Sequence, residues 1–202
     1  MLRKLTKNEY AVSAWSGGTT TQLAIFPPEA KYAERDFLWR VSSAAVALEE
    51  SDFTALPDYD RLIATLQGEI VLTHNGGAPL RLRPFEVHAF SGADATHSRG
   101  RCTDFNLMLR RGRATGSMEA LRLTDRPVSL PSPSKGEWLL LYCVEGAAAA
   151  CRADAEGAEA ESKAPVTSVV LSEGEALLLT EAAVLTLTGP AALMLCRMRT
   201  TS

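Results

Sequence analysis

Short apolar segments follow one another down the whole chain, each closed by Gly, Pro or Asn, and no long stretch between them carries the 3.6-residue repeat of an amphipathic helix. Residues 22–26 end at Pro27-Pro28, and residues 37–48 alternate in part. Residues 61–66 and 69–74 break at Gly68, residues 80–83 and 86–90 break at Pro84, and residues 104–110 alternate to their end. His74-Asn75-Gly76-Gly77 is a hairpin signal, because Asn and Gly accept positive φ at little cost. In the second half, residues 138–144, 165–171, 176–180, 184–188 and 191–198 are set apart by Gly146, Gly174 and Gly189-Pro190. Strands this close together predict an all-β sandwich or barrel.

The chain has 202 residues, about one and a third times a ~150-residue domain, so one large or two small intimate domains are expected. Residues 111–116 read as a linker between lobes 1–114 and 115–202. Residues 146–163 are rich in Ala and Glu but lack an apolar stripe, which predicts an exposed hairpin loop or a frayed helical turn with no assigned function. A faint internal repeat supports two copies of one β unit. Leu66-Gln67-Gly68-Glu69 echoes Cys143-Val144-Glu145-Gly146, and Leu82-Arg83-Pro84-Phe85-Glu86 echoes Leu171-Ser172-Glu173-Gly174-Glu175.

With 46 % apolar residues, a sizeable core is available. The 21 basic and 24 acidic residues leave a charge of −3, which argues against a dedicated partner of nucleic acid or of acidic membranes. No apolar run reaches the ~20 residues that span a bilayer. The opening MLRKLTKNEY has no apolar core of a signal peptide, and the four cysteines form no CxxC pair. Reduced thiols and a cytoplasmic location are expected.

Strand alternation sorts the polar residues of the first half onto faces. Arg40 and Ser42 oppose Trp39 and Val41. Arg61, Ile63 and Thr65 oppose Leu62, Ala64 and Leu66. Asp104, Asn106, Met108 and Arg110 oppose Phe105, Leu107 and Leu109. Such faces either meet solvent or line a cavity. Short amides, a hydroxyl and Arg, rather than a Lys/Glu mixture, favour the cavity, and Arg suits a carboxylate through its planar fork. The second half has no such faces and reads as structural, with apolar strands that leave room for a homodimer interface.

The three histidines, His74, His88 and His97, show no HxH, HxxxH or HExxH spacing, so they read as surface or turn residues rather than a metal site. GxSxG, GxxxxGK[ST] and GxGxxG are absent. Trp15-Ser16-Gly17-Gly18-Thr19-Thr20-Thr21 either cradles an anion on its backbone NH groups or is a flexible loop anchored by a buried Trp15.

Trp15-Ser16-Gly17-Gly18-Thr19-Thr20, Phe37-Leu38-Trp39-Arg40-Val41-Ser42-Ser43-Ala44, Asp60-Arg61, Leu66-Gln67-Gly68 and Asp104-Phe105-Asn106-Leu107-Met108-Leu109-Arg110-Arg111-Gly112 together resemble the HutD/Ves family. The resemblance is ordered over roughly residues 5–112. It implies a bicupin, two small antiparallel β-barrel lobes, in a bacterial cytoplasm. It also implies a small acidic ligand of histidine utilisation, such as urocanate or a formylated or formiminated glutamate, and a modulator rather than an enzyme. Carried over by motif, the ligand-binding candidates are Arg40, Ser42, Arg61, Asp104, Asn106 and Arg110, with no catalytic residue. Gln22 departs from the acidic residue expected there. Set against the metal motif of cupins, Arg61 stands where a Glu ligand would be, residues 54–57 hold no His, and His97 is about two residues out of step.

The resulting expectation is a metal-free, cofactor-free binding protein in which Arg40 and Arg61 clamp a carboxylate. Ser42 and Asn106 would bond a formyl, amide or ring group, Asp104 would pair with an Arg, and Arg110 would assist or close the strand. The alternative is a cupin-type enzyme, an isomerase, hydrolase or metal-dependent oxygenase acting on a small acid. Asp104 among arginines is expected to stay ionised with a low pKa, a poor base near pH 7.

Overall fold

The computed structural model describes residues 2–124, 126–153, 168–180 and 184–201. Among them the chain is all-β apart from two 3₁₀ turns, and no helix is long and apolar enough to cross a membrane. It divides into two compact units. One is Tyr10–Met118 with Thr200–Ser202, and the other is Met1–Glu9 with Glu119–Arg199. The first strand, β1 (Leu2–Leu5), therefore belongs to the unit built by the second half of the chain.

The unit Tyr10–Met118 contains β2 (Ala11–Trp15), β3 (Gly18–Phe26), β4 (Trp39–Val46), β5 (Glu50–Asp52), β6 (Tyr59–Gln67), β7 (Ile70–His74), β8 (Leu80–Leu82), β9 (Val87–Ser91), β10 (Thr96–Arg99) and β11 (Cys102–Arg110). These form a six-stranded sheet in the order β2-β3-β4-β11-β6-β9 and a four-stranded sheet in the order β5-β10-β7-β8. The apolar faces found by alternation are core: Trp39, Val41, Ala64, Phe105 and Leu107 are at most 1 % exposed. A second cluster, Ile63, Ile70, Leu72 and Leu82 with Phe53 and Phe90, joins residues of both sheets. The hairpin turn after β7 sits where Asn75 (φ 53°) and Gly76 (φ 68°) predict it.

The remaining strands are β12 (Ala114–Leu123), which begins in the first unit and enters the other at Glu119, β13 (Val128–Leu130), β14 (Glu137–Ala153), β15 (Ser168–Ser172), β16 (Ala176–Leu179), β17 (Val184–Thr188) and β18 (Ala191–Thr200). They and β1 form one eight-stranded sheet along the 17-residue β14. Its leucine core (Leu139, Leu141, Leu171, Leu177, Leu185, Leu187, Leu193) is sealed to 0 % exposure. Among the described residues the sheets of both units stay open rather than closing into continuous barrels.

Three local expectations change. The linker shrinks to a turn at residues 111–113, because Arg111 is tied to Asp60 Oδ1 at 2.8 Å and to the Pro57 carbonyl at 3.0 Å, and β12 begins at Ala114. Of the Ala/Glu-rich segment, residues 146–153 are strand: pairing with β15, β17 and β18 and full burial of Ala148 and Ala150 outweigh helix propensity. Residues 154–163 lie outside the described residues. The loop at Trp15 is a tight β2–β3 hairpin, and Trp15 is 41 % exposed rather than buried.

The internal repeat has a stereochemical cause, one residue out of the register in which the sequences align. A Cβ on Gly68 (φ 75°) would lie 2.4 Å from the Arg101 carbonyl oxygen, and one on Gly100 (φ 114°) would lie 2.5 Å from that of Glu69. The other unit repeats the arrangement. Gly146 (φ 77°) meets the Pro190 oxygen at 2.3 Å, and Gly189 (φ 106°) meets that of Ala147 at 2.8 Å. Phe85 (φ 69°) and Gly174 (φ 80°) occupy the same position in two matching turns, with Glu86 and Glu175 capping the NH groups of Arg83 and Ser172 at 3.0 and 2.8 Å.

Candidate functional site

Strand register assembles the site. Met108 on β11 is flanked by Arg40 on β4 and Arg61 on β6. Asn106 is flanked by Ser42 and Ile63, and Asp104 by Ala44 and Thr65. The three polar faces thus become one face of one sheet, two strand spacings across. That face lines a cavity of about 300 Å³, with Arg40, Ser42, Arg61, Asp104, Asn106 and Met108 as its floor. Ser13 and Trp15 of β2 and residues 51–54, at and after β5, complete the wall with Thr20 and Tyr32. Five of the six sequence candidates meet here, and each is 3–6 % exposed.

Arg40 donates from Nε to Gln22 Oε1 at 2.8 Å and from Nη1 to Ser42 Oγ at 2.9 Å, with the Tyr32 ring centroid 4.4 Å from its guanidinium carbon. The 3₁₀ turn Tyr32–Glu34 supplies that ring. Arg61 donates from Nη2 to Asn106 Oδ1 at 3.0 Å, and its guanidinium carbon lies 4.9 and 5.0 Å from the Phe53 and Phe90 ring centroids. Its buried Nε has no hydrogen-bond partner within the protein. Among the described residues, neither guanidinium is paired with a carboxylate. Burial lowers both arginine pKa values, that of Arg40 to about 10; a guanidinium keeps its charge in proteins.

Two expectations for Asp104 are overturned. It does not pair with an arginine: Asn106 stands between, donating to Asp104 Oδ1 at 2.9 Å while accepting from Arg61. Its pKa is not low. Burial raises it to about 6, against the opposing pull of Asn106, Arg61, the Ala44 NH at 3.1 Å and Arg40. Arg110 shares the face by alternation but lies beyond the cavity. β11 leaves the cavity at Met108, and Arg110 donates Nη1 to the Arg35 carbonyl at 2.6 Å beside Tyr59, its cross-strand neighbour.

The donor set does not fit a divalent cation, since two guanidinium groups face the same space as Asp104, the floor's one carboxylate, and the wall's Asp52 is turned to His97 at the rim. Among the described residues, no three His, Cys, Asp or Glu side chains converge. The histidines do more than their spacing promised. His74 Nε2 lies 2.9 Å from His88 Nε2, joining β7 of one sheet to β9 of the other. His74 Nδ1 is 2.8 Å from Thr96 Oγ1, and His97 pairs with Asp52 at 2.9 Å on the rim. Separations of 14 residues and more carry no short-range signal, so sequence reading misses these contacts, as it misses Tyr32 and Phe53 against the arginines. Gln22 was noticed only as a departure, and it is the acceptor that orients Arg40.

The HutD family model matches residues 7–195. Protein Ves of Cronobacter sakazakii is 30 % identical over 143 residues, covering 67 % of this chain and 72 % of its own length. A conserved protein of unknown function from Pseudomonas aeruginosa PAO1 superposes with a TM-score of 0.79 at 23 % identity, over all of both chains. HutD from Pseudomonas fluorescens SBW25, solved in a formate condition, does so with a TM-score of 0.74 at 20 % identity, again over all of both. With two cupin-like β units, open sheets in place of closed barrels, and a family match across nearly its whole length, the chain belongs to the HutD family.

Proposed function

We propose that this protein binds a small carboxylate metabolite in the cavity over β4, β11 and β6, without a metal, and so modulates histidine utilisation. The observation that carries the reading is the pair of buried arginines with only neutral partners: Gln22 and Ser42 for Arg40, Asn106 for Arg61. A buried charge is costly unless a counter-charge meets it. A carboxylate in the cavity is that counter-charge, held by charge-assisted bonds from two forks. The aromatic walls, Tyr32, Phe53 and Trp15, suit a flat or short-chain body, and 300 Å³ accommodates one of metabolite size. Urocanate and formyl- or formimino-glutamate have that chemistry, and the family name connects the chain to histidine utilisation.

Calorimetry with these acids tests the reading. Wild-type protein is expected to bind at least one of them. Arg61→Ala is expected to lose about 100-fold in affinity, the worth of a desolvated charge-assisted contact, while still unfolding cooperatively. Unchanged affinity in that variant overturns the clamp. A second reading, acid–base catalysis on a small acid, is favoured by one observation. Asp104, at about 6, titrates where a general acid or base is useful. Turnover of the same acids followed by NMR separates catalysis from binding.

A further inference from the structure

The cavity floor holds three ionisable side chains of unequal sign: Arg40 and Arg61, both cationic, and Asp104. None is more than 6 % exposed, so their charges sit where water screens little and an imbalance is felt at close to full strength. Of the other polar groups lining it, Ser13, Thr20, Ser42, Ser51, Thr54 and Asn106 do not ionise, which leaves the Tyr32 phenol beside the arginines and Asp52 at the rim. With Asp104 ionised the empty floor carries one net positive charge. One carboxylate cancels it. Two carboxylates leave one negative charge in excess, unless a proton accompanies them.

We infer that Asp104 is the residue through which the cavity reads the net charge of its ligand: a monocarboxylate enters with Asp104 ionised, and a dicarboxylate enters only together with one proton, which Asp104 takes. The inference rests on the reading of the cavity as an anion site. The proton comes from solvent and ends on a carboxylate oxygen of Asp104, converting an acceptor into an O–H donor beside the incoming ligand. The geometry favours that site over its neighbours. Asp104 Oδ1 is held by Asn106 Nδ2 and the Ala44 NH, and the side chain is fixed on the central strand of the floor. At about 6 its pKa lies close enough to neutrality for a second negative charge to carry it through pH 7.

The groups that face Asp104 from the surrounding strands do not compete. Arg61 of β6 and Arg40 of β4 carry guanidinium groups, which keep their proton in proteins, and Asn106 of β11 does not titrate. The Cys102 thiol, also on β11, is pushed up to about 12 by burial and by Asp104, so it remains protonated throughout. The wall's other acid, Asp52, has a side chain 87 % exposed and bonds His97 on the rim, where solvent screens it. That Asp52–His97 pair is one rival acceptor near the cavity, and the His74–His88 pair, packed behind the Phe90 ring that faces Arg61, is another.

Succinate and its monoamide succinamate, nearly equal in shape and differing by one charge, are the probes. Titration calorimetry at pH 7 in two buffers of different ionisation enthalpy counts protons taken up on binding. Wild-type protein is expected to take up close to one proton with succinate and close to none with succinamate. Succinate affinity is expected to rise up to tenfold per pH unit of acidification below neutrality, until Asp104 is protonated in the empty cavity or the ligand itself is. In Asp104→Asn the uptake is expected to vanish, and in His97→Gln it is expected to persist. Succinate binding without uptake, or uptake that survives Asp104→Asn whatever His97→Gln does, overturns the inference and leaves the anion site standing. Binding of neither probe at millimolar concentration overturns the anion site itself. The wild-type proton count needs no variant, so it holds whether or not Asp104→Asn folds.

Discussion

Arg61 donates its Nη2–H to Asn106 Oδ1 at 3.0 Å, and that contact satisfies a buried donor without cancelling the charge behind it. Arg40 repeats the arrangement with Gln22 at 2.8 Å. Amides, which orient but do not neutralise, stand where carboxylates would make ordinary buried ion pairs. The positive potential of the cavity is the result.

Gln22→Glu is therefore expected to silence the site without harming the fold. A carboxylate at the position of Gln22 Oε1 pairs with Arg40 and supplies internally the charge that a ligand would bring. Carboxylate affinity by calorimetry is expected to fall about 10- to 100-fold, one to two decades for one buried counter-charge, with thermal stability retained or raised. Unchanged affinity would show that Arg40 does not contact the ligand.

Asp104 makes stability depend on pH in the sense opposite to that of a salt-bridged carboxylate. Its folded pKa, about 6, lies above the unfolded value near 3.8, so the folded state binds the extra proton between these limits. Its contribution is most favourable below pH 4 and is lost as pH rises through 6, by up to about 3 kcal/mol. Urea unfolding of wild type and Asp104→Asn between pH 4 and 7 checks this: the difference between the two curves should shift toward the variant as pH rises. A flat difference would mean that Asp104 titrates normally.

The His74–His88 contact is expected to be one directed hydrogen bond between the two rings. Thr96 Oγ1 lies 3.2 Å from the Asp94 carbonyl and donates to it, so it accepts from His74 Nδ1–H, and His74 Nε2 then accepts from His88 Nε2–H. Burial and His74 hold the His88 pKa below its ordinary value, so its stabilising share is present above about pH 6.5 and is lost on acidification below it. A scalar coupling between the two Nε2 nuclei in ¹⁵N-labelled protein, absent in His88→Gln, is the expected signature. No such coupling in the wild-type protein would exclude the shared hydrogen bond.

Gly68 and Gly146 are expected to be equally intolerant of a side chain. Both have positive φ, and a Cβ at either would fall 2.3–2.4 Å from a backbone oxygen that cannot swing aside. Gly68→Ala and Gly146→Ala should each cost about 2–4 kcal/mol, adding backbone strain to a forced strand shift, whereas Gly112→Ala, with nothing within 4 Å, should cost about 1 kcal/mol. Denaturant unfolding of the three variants decides.

The sequence by itself determined what is local. Alternation along residues 40–42, 61–65 and 104–108 told which side chains share a face, because a strand repeats every two residues whatever it pairs with. The Asn75-Gly76 turn and the strand breaks at Gly68 and Pro84 were legible for the same reason, since they are set by φ preferences within a few residues. Cross-strand register was not legible, and it alone brings Arg40 and Arg61 to either side of Met108, sets Asn106 between Arg61 and Asp104, and carries Arg110 past the cavity to Arg35. Nor was the titration of Asp104. Nearby arginines argue for a low value, but the depth of burial decides the balance, and depth is a property of how two sheets close over a side chain rather than of the residues beside it in the chain.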